Sequence, residues 1–265
     1  MAESRPLAVV TGASAGIGSV YAQRLAARGF DLVLVARRGD RLEQLAGEIH
    51  RRQGVDVEPL AADLVRDDGM KAVEERIARA ENLEFLVNNA GFGSKDRFSN
   101  GSVESHDAMH RLHILATMRL THAALGKMQA RGKGAIVNVS SVAGFVCRPG
   151  NTSYYATKAW MICFTEGLHV ELAAARSPVR MQALCPGFTL TEFHDVIGFD
   201  RRQVPSSWWM SAEDVVDASL RGLERNQLIV VPGWRYKLLV GLLRIMPRSV
   251  MHAASGIRYR GMEPE

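Results

Sequence analysis

Only three cysteines occur in the 265 residues, Cys147, Cys163 and Cys185, and no two stand at a metal-ligand spacing. They predict free thiols, buried or partly buried, in a reducing cytoplasmic compartment, with no disulfide framework, metal site or cysteine nucleophile. No apolar run is long enough to cross a bilayer. The first residues, Met1-Ala2-Glu3-Ser4-Arg5-Pro6, lead straight into a strand-like run. They carry no basic segment, apolar stretch and cleavage site in succession, so secretion is not expected. Internal repeats, low-complexity tracts and flexible linkers are also missing, which predicts one domain across residues 1–265. Excess charge is small and local. Net charge is +5, and from Trp234 onward six basic residues (Arg235, Lys237, Arg244, Arg248, Arg258 and Arg260) face only Glu263 and Glu265. The remaining body is nearly neutral, which argues against a nucleic-acid-binding face.

What is present is a regular alternation. Hydrophobic residues make up 47% of the chain and charged residues 23%, enough apolar side chains for a sizeable core. Residues 7–10 read as a strand ending at Thr11-Gly12. A helix from near Gly16 then places Ile17, Val20, Tyr21 and Leu25 on one face until Gly29. Further strands are expected at 32–36, 57–62, 85–87, 135–139, 179–184 and 228–231. Helices are expected at 40–53, through Met70, Val73 and Ile77, as one long helix over roughly 103–129, and from Tyr154 toward Ala175. Ser211 starts another, with Glu213 and Asp214 favouring that end. This order predicts a three-layer α/β/α sandwich around a predominantly parallel sheet of seven strands.

Two local patterns carry chemistry. The stretch Thr11-Gly12-Ala13-Ser14-Ala15-Gly16-Ile17-Gly18 joins the first strand to the first helix. Its glycines permit a tight turn and close backbone approach, and the free amides of the helix favour a pyrophosphate. Tyr154 and Lys158, four residues apart on a helix, put a phenol and an ammonium on one face, where the cation favours phenolate. Ser141 stands thirteen positions before the tyrosine, at the end of the fifth strand. Tyr155 points elsewhere and reads as a packing residue.

With Asp63-Leu64, Asn88-Asn89-Ala90-Gly91 and Pro186-Gly187 in chain order, these motifs resemble the short-chain dehydrogenase/reductase (SDR) family from about Leu7 to Pro232. The resemblance implies a Rossmann-like fold, with residues 1–140 mainly holding a nicotinamide dinucleotide and 141–233 forming the catalytic and substrate half. It implies that Asp63 and Leu64 meet the adenine and that Asn89, Ala90 and Gly91 support the central strand and cofactor. Pro186, Gly187, Thr189 and Thr191 would lie near the nicotinamide amide or pyrophosphate. Tyr154 would be the acid in carbonyl reduction, Ser141 a donor to the substrate oxygen, and Lys158 also a ligand of the nicotinamide ribose. His113 stands where the family commonly has an asparagine that supports a water-linked proton route. It reads either as a proton relay or as a packing residue. A homodimer or homotetramer, formed through the helices after the fourth and fifth strands, is also implied.

The second strand ends Ala36-Arg37-Arg38, where an arginine can pair with the additional phosphate of NADP. Arg37, with Ser14 as helper, is expected to do so, which favours NADP over NAD; Arg38 reads at least as readily as solvated surface. Residues 188–210 are where the family closes over substrate. Here they include Phe188, Leu190, Phe193, Val196, Ile197 and Trp208, with Phe145, Val146 and Cys147 as a further apolar wall. The expected reaction is hydride transfer between NADP(H) and a hydrophobic carbonyl/alcohol pair: a ketoacyl, steroid-like or other lipid ketone. Small xenobiotic ketones or aldehydes are the alternative, as is a catalytically weak cofactor-binding regulatory protein. The basic, apolar extension from Trp234 reads either as packing against the body or a second subunit, or as shallow membrane contact through 234–260.

Overall fold

Strands that read as nearly unbroken apolar runs have to be covered on both faces, and three such runs, at residues 7–11, 31–36 and 135–139, lie within a sheet of seven strands. The structure, a computed structural model, describes residues 5–94, 97–196 and 198–253. Expectations placed on residues 1–4 and on Ile197, Arg258, Arg260, Glu263 and Glu265 lie outside the described residues. In chain order the elements are β1 (Leu7–Thr11), α1 (Gly16–Ala26), β2 (Asp31–Ala36), α2 (Gly39–Gln53), β3 (Val57–Ala61) and α3 (Asp67–Arg79). There follow β4 (Leu83–Asn88), α4 (Val103–His110), α5 (Thr117–Arg131), β5 (Ala135–Val139) and α6 (Thr152–Ala174). The last are β6 (Arg180–Leu184), α7 (Glu192–Val196), α8 (Ala212–Glu224), β7 (Ile229–Val230) and α9 (Trp234–Ile245).

All seven strands pair in parallel, in the order β3-β2-β1-β4-β5-β6-β7. Successive side chains face opposite ways along a strand. Val10 and Leu34 therefore join the core under α1, α2 and α8, while Val9 and Val33 join the core under α3 and α5. The strand order reverses between β1 and β4, and the crevice beyond their carboxyl ends is where a doubly wound sheet binds ligands.

Buried polar side chains lock this frame. Asn88 and Asn138 are register partners on β4 and β5. Asn88 Nδ2 donates to Asn138 Oδ1 at 2.8 Å and to Thr121 Oγ1 at 3.0 Å, and Asn138 Nδ2 donates to Thr165 Oγ1 at 2.9 Å. The ladder ties two strands to α5 and α6, and losing one partner from it costs about 1–3 kcal/mol. A second chain runs from the Tyr21 hydroxyl to Ser219 and on to Gln182, joining α1, α8 and β6.

The expected single helix over 103–129 is corrected. A π-helical turn, Arg111–Ala116, separates α4 from α5. Such a turn accommodates one extra residue and is offset by contacts outside the helix. Arg111 Nε donates to the Val65 carbonyl at 2.7 Å, while His113 bonds Thr157 on α6 at 2.9 Å. The thiols are corrected too: Cys147 and Cys163 are exposed, and only Cys185 is buried. Burial raises the Cys185 thiol to about 12, so it stays protonated at neutral pH.

Candidate active site

The loop after β1 is held by its own backbone and by Asn89. Thr11 Oγ1 donates to the Val87 carbonyl at 3.1 Å and accepts from the amides of Asn89 and Ala90 at 2.9 and 3.0 Å. Asn89 Nδ2 returns bonds to the carbonyls of Thr11 and Gly12 at 2.9 and 3.2 Å. Gly12 lies at φ +65°, and a Cβ there would sit 2.7 Å from Asn89 Nδ2; a Cβ on Gly18 would sit 2.3 Å from the Gly12 oxygen. Only bare backbone fits. Ser211 caps α8 by accepting from the Asp214 amide at 3.0 Å, whereas no side chain among the described residues caps α1 at Ala15. Its free amides, preceded by a cradle that excludes side chains, fit the pyrophosphate of a dinucleotide.

α6 starts beside the end of β5, and this brings Ser141, Tyr154 and Lys158 to the wall of one cavity. Lys158 is 4% exposed; its Nζ donates to the Val139 carbonyl at 2.9 Å and lies 5.6 Å from the centre of the Tyr154 ring. Burial lowers the Lys158 ammonium to about 8. Burial also raises the Tyr154 phenol to about 12, against the opposing pull of a bond to the Ser141 hydroxyl. Desolvation outweighs that bond, and Tyr154 carries its proton at neutral pH.

His113 is completely buried, against Thr157 and the loop after β4. The Phe92 amide donates to Nε2 at 3.2 Å, so the proton sits on Nδ1, which donates to Thr157 Oγ1 at 2.9 Å. Thr157 Oγ1 in turn donates to the Tyr154 carbonyl at 3.0 Å. Burial and the nearby Lys158 hold His113 well below the ordinary histidine value, so it is neutral. Both ring nitrogens are occupied in this arrangement. That favours the packing alternative, a strut between the loop after β4 and α6, over the relay.

Below about pH 6.5 the unfolded chain protonates this histidine and the folded chain does not. Stability is thereby lost on acidification, by at most about 1.4 kcal/mol per pH unit. His113→Asn is expected to flatten the fall of the urea midpoint between pH 7 and pH 5 relative to the parent. Equal slopes in the two proteins would contradict the neutral, buried assignment.

Arg37 and Arg38, which follow β2, lie along a groove of about 320 Å³ bordered by Gly12, Ser14, Gly16, Asp63, Leu64 and Thr191. Arg38 donates to Ser14 Oγ at 3.1 Å from Nη2 and to Glu192 at 2.9 Å, and Arg41 donates to the same carboxylate at 2.6 Å. Arg38 is thus engaged while it stays exposed, with 43% of its side chain open to solvent, and Arg37 is exposed along the same groove. The two guanidiniums hold the Glu192 carboxyl below its ordinary value. Glu192 was not marked in the sequence as part of the cofactor end, because its role depends on α7 crossing over the groove. Thr191 touches the loop directly: a Cβ on Gly16 would lie 2.9 Å from its Cγ2.

The larger cavity, about 740 Å³, joins Ser141, Tyr154 and Lys158 to walls that include Val142, Val146, Phe188, Phe193 and Trp208. Ile17, Asn89, Gly91, Pro186, Gly187 and Thr189 also border it, and Ile17 and Gly91 border the groove as well. Tyr155 lines it too, contrary to a pure packing role. Leu190 and Val196 point to solvent, and Cys147 is exposed rather than part of the wall. His194 is enclosed by Phe188, Phe193, Phe199 and Trp209, and burial lowers its basicity. Gly187 lies flat against Tyr236, where a Cβ would fall 2.0 Å from the ring.

A doubly wound parallel sheet with a dinucleotide cradle beside a protonated phenol and a buried lysine defines an oxidoreductase acting on carbonyl/alcohol pairs. The sequence matches the short chain dehydrogenase family over residues 6–201. A 3-oxoacyl-[acyl-carrier-protein] reductase of Aquifex aeolicus is 31% identical over 81% of this chain and 88% of its own. A very-long-chain 3-oxoacyl-CoA reductase of Anas platyrhynchos is 36% identical over 71% of this chain and 61% of its own. A short-chain dehydrogenase from Sphingobium yanoikuyae, solved with NADPH, superposes with a TM-score of 0.82 at 37% identity, covering 91% of this chain and 96% of that one. A bulky-bulky ketone specific alcohol dehydrogenase from Comamonas testosteroni gives 0.78 at 33%, covering 91% and 95%. The chain belongs to the short-chain dehydrogenase/reductase family.

Proposed function

We propose that this enzyme reduces apolar ketones with NADPH, with 3-oxoacyl, steroid-like or other lipid carbonyls as the leading class. The observation that carries the reading is the cavity of about 740 Å³, walled by aromatic and aliphatic side chains and ending at Ser141 and Tyr154. Small-molecule sites run roughly 300–1,000 Å³, so a ring system or acyl chain fits. The 3-oxoacyl and bulky-ketone specificities in the names of the relatives support it.

In this reading the substrate oxygen lies between the hydroxyls of Ser141 and Tyr154. Ser141 polarises and positions it, and Tyr154, protonated at neutral pH, gives up its proton as the alcohol forms. Lys158 lowers the cost of the phenolate left behind and binds the nicotinamide ribose hydroxyls through its remaining N–H donors. When bound, the reduced nicotinamide supplies a hydride to the carbonyl carbon. Gly12, Gly16, Gly18 and the free amides of α1 hold the pyrophosphate, and Asp63 and Leu64 the adenine. Asn89, Ala90, Gly91, Pro186, Gly187, Thr189 and Thr191 surround the nicotinamide side. The work divides as 1–140 for cofactor and 141–233 for substrate and chemistry.

Arg37, Arg38 and Ser14 are assigned to the additional phosphate of NADP, which would compete with Glu192 for Arg38. Glu192→Gln removes the competing charge, and NADPH is expected to bind about threefold to tenfold more tightly, with NADH nearly unchanged. Fluorescence titration at low salt measures both. Unchanged NADPH binding would remove Arg38 from the phosphate site.

The enzyme is further read as a cytoplasmic homodimer or homotetramer joined through α5 and α6. Exposed Met118 and Val170 and the stacked Trp160–Phe164 pair on those helices support it. The deciding assay compares NADPH and NADH consumption across 3-oxoacyl thioesters, steroid ketones, aliphatic ketones and aldehydes. The highest kcat/KM is expected for NADPH with a bulky apolar ketone. A preference for NADH overturns the cofactor, and a preference for small aldehydes overturns the substrate class.

A further inference from the structure

α9 is apolar on two opposite sides, and only one of them is covered. On the inner side Tyr236 and Val240 are buried, and Leu239 borders the large cavity. The Tyr236 hydroxyl accepts from the Phe188 amide at 2.9 Å and donates to the Trp208 carbonyl at 2.7 Å, which pins the helix to the substrate loop. On the outer side Trp234, Leu238, Leu242 and Ile245 are 67%, 59%, 49% and 79% exposed. At about 100° per residue these four fall within an arc of roughly 80°, directly opposite the buried pair. A contiguous exposed apolar stripe rimmed by polar residues marks an interaction surface, so this stripe calls for a cover.

The charges around the stripe select the cover. Arg235 lies along one edge and Lys237 and Arg244 along the other, with Arg248 just beyond the helix; residues 234–253 contain no aspartate or glutamate. Arg244 approaches Glu166 of α6 at 3.8 Å, while Lys237 and Arg248 are exposed. A second copy docked by the same face would bring these cations together with no carboxylate from that segment between them. An anionic lipid surface supplies both an apolar bed and the opposite charge. Among the described residues no helix is long and apolar enough to span a membrane, and twelve residues reach only about 18 Å, so contact is in the plane of the interface.

We propose that α9 docks onto anionic lipid, with Trp234, Leu238, Leu242 and Ile245 entering the acyl boundary and Arg235, Lys237, Arg244 and Arg248 meeting the headgroup phosphates. The inner face of the same helix borders the cavity, so docking places the cavity wall about one helix diameter, roughly 10 Å, from the lipid.

The test is co-sedimentation of the full chain with phosphatidylcholine vesicles, with and without phosphatidylserine. Recovery is expected to be about tenfold or more higher with phosphatidylserine and to fall as salt rises. The double substitution Leu238→Glu/Leu242→Glu is expected to cut that recovery by more than about tenfold. Its melting curve by circular dichroism and its particle mass by light scattering should match the parent. Absence of binding to phosphatidylserine vesicles, or equal recovery of parent and variant, overturns the proposal. A drop in particle mass in the variant also overturns it, because the face then belongs to a second copy.

Discussion

Tyr154→Phe is expected to lower NADPH-dependent ketone reduction by about 10²–10⁴-fold while leaving cofactor affinity within about twofold. The substitution deletes one hydroxyl and keeps the ring, so the aromatic contacts with Phe193 and His113, at centroid distances of 5.9 Å, survive. What disappears is the proton donor and its bond to Ser141. In the proposed site, cofactor binding rests on the β1–α1 loop and Lys158, which this change leaves in place. Steady-state kinetics with a fluorescence titration of NADPH separates the two effects. A variant that keeps both affinity and turnover would remove Tyr154 from the chemistry. Loss of both together would show a collapsed site instead.

Gly18→Ala is expected to weaken cofactor binding by more than about tenfold and to destabilise the fold by about 1–3 kcal/mol. The new methyl would lie 2.3 Å from the Gly12 carbonyl oxygen and 2.6 Å from Asn89 Nδ2. The first obstacle is backbone and cannot rotate aside. The second is the amide that ties Asn89 to Thr11 and Gly12, so relief there would open the cradle. Gly126→Ala is the control: it lies within α5 with nothing within 4 Å of its added carbon, and a gain of about 0.5–1 kcal/mol is expected. Urea melts and NADPH titration of the two variants give the comparison. Equal behaviour would mean that the loop yields more readily than its contacts imply.

Much of this arrangement was legible along the chain, and the reasons differ by element. Buried parallel strands show themselves as apolar runs because both faces are covered, so β1, β2 and β5 were placed almost to the residue. The last strand was shorter than its apolar run, two residues in place of four, because pairing at the sheet edge depends on what β6 offers. Tyr154 and Lys158 were recognisable as a pair because four residues is one helical turn. The break between α4 and α5 was not legible. It answers to partners such as Val65 and Thr157, which stand 46 and 44 positions away in the chain. For the same reason the sequence singled out Arg37 but not the bridge of Arg38 and Arg41 to Glu192, which lies over 150 residues further on.

By itself the sequence determined the alternation of strands and helices, the bare-backbone cradle and the candidates for the reacting side chains. These depend on periodicities and on residue types a few positions apart. Protonation and exposure were decided only in the tertiary structure: Tyr154 raised, Lys158 lowered, His113 neutral, and the outer face of α9 left open. Burial and charge are sums over neighbours that the fold draws from every part of the chain, and no local stretch contains them.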